Sequence, residues 1–225
     1  MQDNKHVHLS PGDIITITTD NTVLGTAHKV GTTYHNLALD AIVGNIILID
    51  DGLLQFKVLE KKLRHPGQAS IGDELICQVI VGGNLSSSKG INLPGTPISA
   101  PALTEKDIRD LEFGLKSGVD MICMSFVRSP KDIEQAKRLM EKFGRIVPIV
   151  SKIERIEALQ HFDAIAQATD GLMVARGDLG IEFNYYDLPI LQKQLIAKSS
   201  ALGRFDITAT QMLASMCENY FPTRA

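Results

Sequence analysis

Cysteine is scarce in this chain, apolar runs are short, and neither charge is in large excess. Cys77, Cys123 and Cys217 are odd in number, far apart and in no Cys-x-x-Cys spacing. That argues against a disulfide framework and points to reduced thiols. No stretch approaches the ~18 consecutive apolar residues of a membrane helix. The balance of 23 basic against 26 acidic residues gives a net charge of −3, which favours neither a nucleic-acid nor a membrane partner. The first six residues are polar with no apolar stretch behind them, so no signal peptide is expected and the cytoplasm is the expected location. Six histidines form no metal-binding spacing; His6 and His8 lie near the terminus, and His35, His65 and His161 read as solvated. Nothing in the sequence makes a case for nucleophilic catalysis.

What is present is ordinary globular composition, 44% hydrophobic and 22% charged, over 225 residues. This excludes disorder and allows one or two domains of roughly 100–200 residues each. Two regions follow different patterns. From residue 10 to about 90 a turn-plus-strand unit recurs, beginning at Pro11-Gly12-Asp13, Val43-Gly44-Asn45 and Ile71-Gly72-Asp73. Glycine followed by Asp or Asn suits tight turns, and the recurrence reads as turn chemistry rather than duplication. Alternation then marks strands, with Leu75, Cys77, Val79 and Val81 on one face and Phe56 and Val58 on another. Asp50-Asp51-Gly52 supplies a further turn. Short strands at this spacing predict a small all-β barrel or sandwich.

From about residue 100 the pattern becomes alternating strands and helices. Thr104 is placed to cap a helix with Asp107 in its first turn and Ile108, Leu111 and Leu115 on its apolar face. A strand over 119–127 follows. Ser129-Pro130 then caps a helix that buries Ile133, Ala136, Leu139 and Met140. A strand over 146–152 leads to a helix with Ile156, Leu159 and Ile165. Another strand, over 171–176, leads to a helix with Leu188, Leu191, Leu195 and Leu202, and a short strand over 205–210 closes the series. Such alternation implies parallel strands in an α/β fold, either an open doubly wound sheet or a (β/α) barrel. Polar residues recur at successive strand ends: Ser125 and Arg128, Lys152 and Glu154, Arg176 and Asp178, then Thr210. In a barrel those ends converge on one mouth, so a barrel is expected. A complete barrel has eight units in roughly 250 residues, whereas about four are legible here. A half-barrel leaves two strand edges unpaired. The chain is therefore expected to be a fragment or to need a partner.

The strand-end residues suggest a chemistry. Mg²⁺ takes hard oxygen ligands, often one or two protein carboxylates with water and substrate oxygens. Glu154 and Asp178 fit that pattern, although each taken singly also reads as a surface charge or a helix cap. Lys152 emerges from an apolar strand and suits stabilising charge on a substrate oxygen, or a structural ion pair. The Arg176-Gly177-Asp178-Leu179-Gly180 turn is suited to presenting backbone N–H groups to an anion ahead of a helix start. Thr210 offers a hydroxyl to a carboxylate. The stretch 82–90 is rich in glycine and serine but lacks P-loop order. It reads as a hinge, with Lys89 as a charge available to phosphate.

Several ordered stretches resemble the pyruvate kinase family. They are Gly90-Ile-Asn-Leu-Pro-Gly95, Ala102-Leu-Thr-Glu-Lys-Asp107, Ser125-Phe-Val-Arg128, Ser151-Lys-Ile-Glu154, the 170–180 run, Ala209-Thr-Gln-Met-Leu213 and Pro222-Thr-Arg-Ala225. The resemblance implies a partial (β/α)8 TIM barrel, about strands four to seven, over 91–225, with residues 1–90 as the inserted all-β barrel lid domain. It also implies phosphoryl transfer from phosphoenolpyruvate to ADP with Mg²⁺ or Mn²⁺ and usually K⁺, in a family homotetramer. By resemblance, Glu154 and Asp178 are metal ligands, and Lys152 stabilises the transferring phosphoryl and enolate charge. Gly177, Asp178 and Thr210 hold the substrate's carboxylate end, and Lys89 contacts nucleotide. The family's Arg-x-Asn-x-Ser segment, which serves K⁺, phosphate and nucleotide, and its Asp-Thr-Lys-Gly-Pro segment have no counterpart here. The isolated chain is thus expected to be inactive or incomplete. A non-catalytic partner of a full-length relative and a magnesium-dependent aldolase of the phosphoenolpyruvate-binding barrels are the other readings. Within the match, Arg204-Phe-Asp-Ile207 replaces a family Lys-Pro-Val-Ile strand, and Asn184-Tyr-Tyr186 replaces a proline-containing segment. Asp206 in a strand expected to be buried is costly if unpaired.

Overall fold

The computed structural model describes residues 6–184, 186–210 and 214–218. They form two compact units, Met1–Ala100 and Pro101–Ala225.

The first unit is almost all β. Its elements are β1 (Val7–Leu9), β2 (Ile14–Thr18), β3 (Lys29–Gly31), the single turn α1 (Leu37–Asp40), β4 (Ile46–Ile49), β5 (Leu54–Lys62), β6 (Glu74–Val81), β7 (Gly83–Leu85) and β8 (Ile91–Asn92). Six strands pair in the order β3-β2-β6-β5-β4-β8, and β1 pairs with β7. The three Gly-Asp/Asn turns share one device. Gly12, Gly44 and Gly72 have φ of +95°, +95° and +88°, which a side chain would strain. In two of them the following aspartate anchors the turn, Asp13 accepting from the Ser10 N–H at 2.7 Å and Asp73 from the Ser70 N–H at 2.8 Å. Leu54, Phe56 and Val58 alternate inward along β5 as the sequence predicts. Leu75, Cys77 and Val79 do so on β6, but Val81, at the strand's end, is 40% exposed.

The second unit alternates strands and helices: α2 (Glu105–Lys116), β9 (Ile122–Met124), α3 (Pro130–Lys142), β10 (Ile149–Ile153), α4 (Ile156–Gln160), α5 (Phe162–Ala168), β11 (Gly171–Val174), α6 (Arg176–Glu182), α7 (Leu188–Ala201) and β12 (Phe205–Thr208). The four strands are parallel in the order β12-β11-β10-β9, so consecutive strands are neighbours in an α/β sheet. Thr104 and Asp107 close a capping box on α2, and Pro130 opens α3, where Asp132 accepts from the Arg128 and Ser129 N–H groups. One core joins Met124, Ile149, Ile153, Leu172 and Val174 of the sheet to Ile133, Met140, Ile165 and Leu195 of the helices.

Two details differ from expectation. The helix expected through Ile156, Leu159 and Ile165 is two short helices that meet at His161. The Arg176-Gly177-Asp178 stretch is the first turn of α6 rather than a loop ahead of a helix.

Asp206 falls on the helix-packed face of β12. It pairs with Leu172 in register, while Phe205 and Ile207 point to the opposite, exposed face. Its Oδ1 is buried without a hydrogen-bond partner among the described residues, and burial pushes its carboxyl above the usual range, with a hydrogen bond from Ser199 of α7 offsetting part of this. A raised folded-state pKa means the native state holds its proton more tightly than the unfolded chain. Stability from this group is therefore full below its ordinary value of 3.8 and lost as pH rises through the folded value. Asp206→Asn should consequently stabilise the chain near pH 7 by roughly 1 kcal/mol and have almost no effect near pH 3.5. Urea midpoints at the two pH values check this; equal effects at both would remove burial of the charge as the cause.

Candidate active site

Residue alternation along β10 sets the site. Ile149, Ser151 and Ile153 face the helices and are fully buried, so Lys152 is turned to the other face of the sheet. There its ammonium donates to Ser125 Oγ, just past β9, at 3.0 Å. Glu154 follows the strand directly, and its side chain is wholly buried. Glu154 Oε2 accepts the Phe126 N–H at 2.6 Å, and Phe126 reaches this pose in a left-handed backbone conformation with φ of +54°. Left-handed backbone at an aromatic residue is strained and has to be held by its surroundings. Glu154 Oε1 forms a close ion pair with Lys152 Nζ at 2.5 Å.

The electrostatics match that geometry. Burial drives the Glu154 carboxyl above its ordinary range, the Lys152 ammonium and the Phe126 N–H pull it back, and the charge of Asp178 pushes it further up. Asp178 sits half-buried in the first turn of α6, beside Gly177, and its field is felt at Glu154. Two carboxylates that raise each other's cost of ionisation suit a small hard cation, whose charge would reverse that cost. Among the described residues no group of three or more His, Cys, Asp or Glu is placed to hold a metal ion.

Thr210 lies two residues beyond β12 with φ of +69°, and its hydroxyl donates to the Ala209 carbonyl at 2.6 Å. The buried guanidinium of Arg176 holds this segment, donating from Nε to the Ala209 carbonyl at 2.9 Å and from Nη2 to the Thr210 carbonyl. Arg176 therefore joins the start of α6 to the end of β12. The structure thus brings Lys152 and Glu154 together with Asp178 in electrostatic range, and ties the Gly177–Asp178 turn to Thr210 through Arg176. Lys89 belongs to the first unit, where it pairs with Asp50 at 3.0 Å. Residues 211–213 and 222–225 of the sequence motifs, and residue 185, lie outside the described residues.

Sequence reasoning did not find the charges behind Glu154. Arg155 is buried and donates from Nε and Nη2 to Glu157 Oε2 and Oε1 at 2.9 and 3.1 Å. Its Nη2 also lies 3.5 Å from Oε1 of Glu182, a side chain only 1% exposed. Burial pushes the Glu182 carboxyl up and Arg155 opposes that. The alternation of basic and acidic residues over 152–157 was the available signal, but it reads equally as a solvated helix start.

The family model for the pyruvate kinase barrel domain matches residues 1–225. The chain is 44% identical over 218 residues to a pyruvate kinase of Mycobacterium tuberculosis (strain ATCC 25618 / H37Rv), covering 97% of this chain and 44% of that protein. It is 47% identical over 214 residues to a pyruvate kinase of Corynebacterium glutamicum, covering 95% and 43%. Against pyruvate kinase 2 of Synechocystis it is 45% identical over 225 residues, covering 100% and 37%. The chain spans less than half the length of these relatives. No helix among the described residues is long and apolar enough to cross a membrane. With the match running over its whole length, the chain belongs to the pyruvate kinase family.

Proposed function

We propose that this chain contributes the magnesium and phosphoenolpyruvate half of a pyruvate kinase site, for transfer of the phosphoryl group from phosphoenolpyruvate to ADP. The observation that carries the reading is the Lys152–Glu154 pair, a wholly buried carboxylate held against an ammonium and within the field of a second carboxylate, Asp178. Glu154 and Asp178 would hold Mg²⁺ or Mn²⁺, which when bound supplies charge neutralisation for the phosphoryl oxygens. Lys152, held by Ser125, faces the solvent side of the sheet and is placed to stabilise negative charge on the transferring phosphoryl group and the enolate oxygen. Gly177 and Asp178, with Thr210 braced by Arg176, would take the substrate's carboxylate end. Lys89 would exchange Asp50 for nucleotide phosphate. In the same reading, the four parallel strands are part of a TIM barrel, the β unit is its lid domain, and K⁺, a homotetrameric assembly and a cytoplasmic location follow from the family.

Titration of the chain with Mn²⁺, followed by calorimetry, tests the assignment. Asp178→Asn should weaken binding at least about 10-fold, the scale that loss of groups supporting metal ligands already reaches. Unchanged affinity in that variant removes Asp178 from the metal site and leaves the reading without its cation.

A further inference from the structure

Arg155 and Glu182 form an ion pair whose side chains are nearly enclosed, and each is coupled by the chain to one of the two carboxylates. Arg155 directly follows Glu154, and its side chain is 7% exposed. Glu182 closes α6 one turn after Asp178, and residues four apart on a helix share one face. The guanidinium holds the first turn of α4 through its paired bonds to Glu157, while its Nη2 faces Glu182 at 3.5 Å. Glu182 Oε2 in turn accepts the Ile156 N–H at 3.2 Å. The β10–α4 turn and the end of α6 are therefore locked to each other from behind, twice over.

Stability gives little reason for such a pair, since buried ion pairs are often replaced by apolar groups of similar volume without loss. What it does supply is a fixed distance between the segment bearing Glu154 and the helix bearing Asp178. We infer that Arg155 and Glu182 are positioning residues that hold the two carboxylates at the spacing a divalent cation requires. This rests on the reading of Glu154 and Asp178 as metal ligands. Supporting groups behind metal ligands are worth roughly 10–100-fold in affinity, because they remove the freedom of the ligands to relax away.

The test is Mn²⁺ affinity of the whole chain, with the Mn²⁺ electron paramagnetic resonance spectrum as a second readout. The double variant Arg155→Met/Glu182→Met removes both charges of the pair together; Glu157 loses its Arg155 bonds, but its side chain is 25% exposed and can turn to water. It should keep the wild-type thermal midpoint to within a few degrees, bind Mn²⁺ roughly 10–100-fold more weakly and broaden the spectrum of the bound ion. Arg155→Lys retains the charge but not the planar fork, and should bind with intermediate affinity. A folded double variant with wild-type affinity and spectrum overturns the inference; if that variant does not fold, wild-type affinity in Arg155→Lys overturns it instead. Asp178→Asn in the same series separates the two levels of the argument. If Asp178→Asn loses Mn²⁺ while the pair variants keep it, only the positioning role fails. Wild-type affinity in Asp178→Asn removes the metal site itself, and the positioning role with it.

Discussion

Replacing Lys152 with methionine should destabilise the second unit by up to about 3 kcal/mol at neutral pH, the cost of stranding a buried carboxylate that must either stay charged without its partner or take up a proton. Glu154 is the reason. Its side chain is fully buried, and among the described residues Lys152 supplies the positive charge that favours its ionised form. Without that ammonium, the Phe126 N–H is the remaining group stabilising the carboxylate, and Asp178 continues to oppose it. The pH dependence has a definite sign. Burial already raises the Glu154 carboxyl above its ordinary value of 4.5, and losing Lys152 raises it further. The deficit relative to wild type should therefore be small below about pH 4.5 and grow as pH climbs through the folded-state value. Adding Glu154→Gln to Lys152→Met should recover most of the loss, because a neutral amide does not need the cation. Urea unfolding of the three proteins at pH 4.5 and pH 7 measures all of this. A loss under about 1 kcal/mol at pH 7 would show that the pair is solvated and worth no more than a surface bridge.

How much of this site was legible in the sequence depends on the range of the interactions involved. Lys152 and Glu154 announce themselves because an apolar run with period-two alternation places them at a strand end, a purely local inference. The parallel order of the four strands likewise follows from strand-helix alternation, and Thr104 and Ser129-Pro130 mark helix starts by local capping chemistry. Strand lengths were less legible. The strand expected over 119–127 is reduced to Ile122–Met124, because only those residues find partners on β10 and Phe126 turns into the left-handed region to reach Glu154. The Arg155–Glu182 pair was not legible at all. Its members are far apart in sequence, and a charge on a short helix is ordinarily solvated. Only the packing of α6 beside the end of β10 buries both. Asp206 shows the same limit from the other side, since a shift of one residue would turn it out to solvent, and its register is set by pairing with β11. Asp50 is similar: its residue type suits a tight turn, but its pairing with Lys89 depends on how β4, β5 and β8 come together.

Phe56→Ala should cost the first unit about 3–5 kcal/mol, as deletion of a fully enclosed aromatic side chain does. Phe56 is 0% exposed and lies mid-way along the inward face of β5, opposite Ile47 on β4 and Val79 on β6. Its removal leaves a cavity enclosed by three paired strands, whose backbones resist collapsing inward even though the β5–β6 register shifts beside Phe56. The effect should also be local to one unit. The core around Phe56 and the core around Ile149 share no residue, and each unit is compact in its own right. Calorimetry of the variant should accordingly show one transition lowered by more than about 10 °C while the other stays put, given about 4–8 °C per kcal/mol for a domain of this size. Leu53→Ala provides the control, since Leu53 is 70% exposed and its truncation should stay within about 0.5 kcal/mol. If both transitions fall together in Phe56→Ala, the two cores fold as one cooperative block and the independence of the units fails.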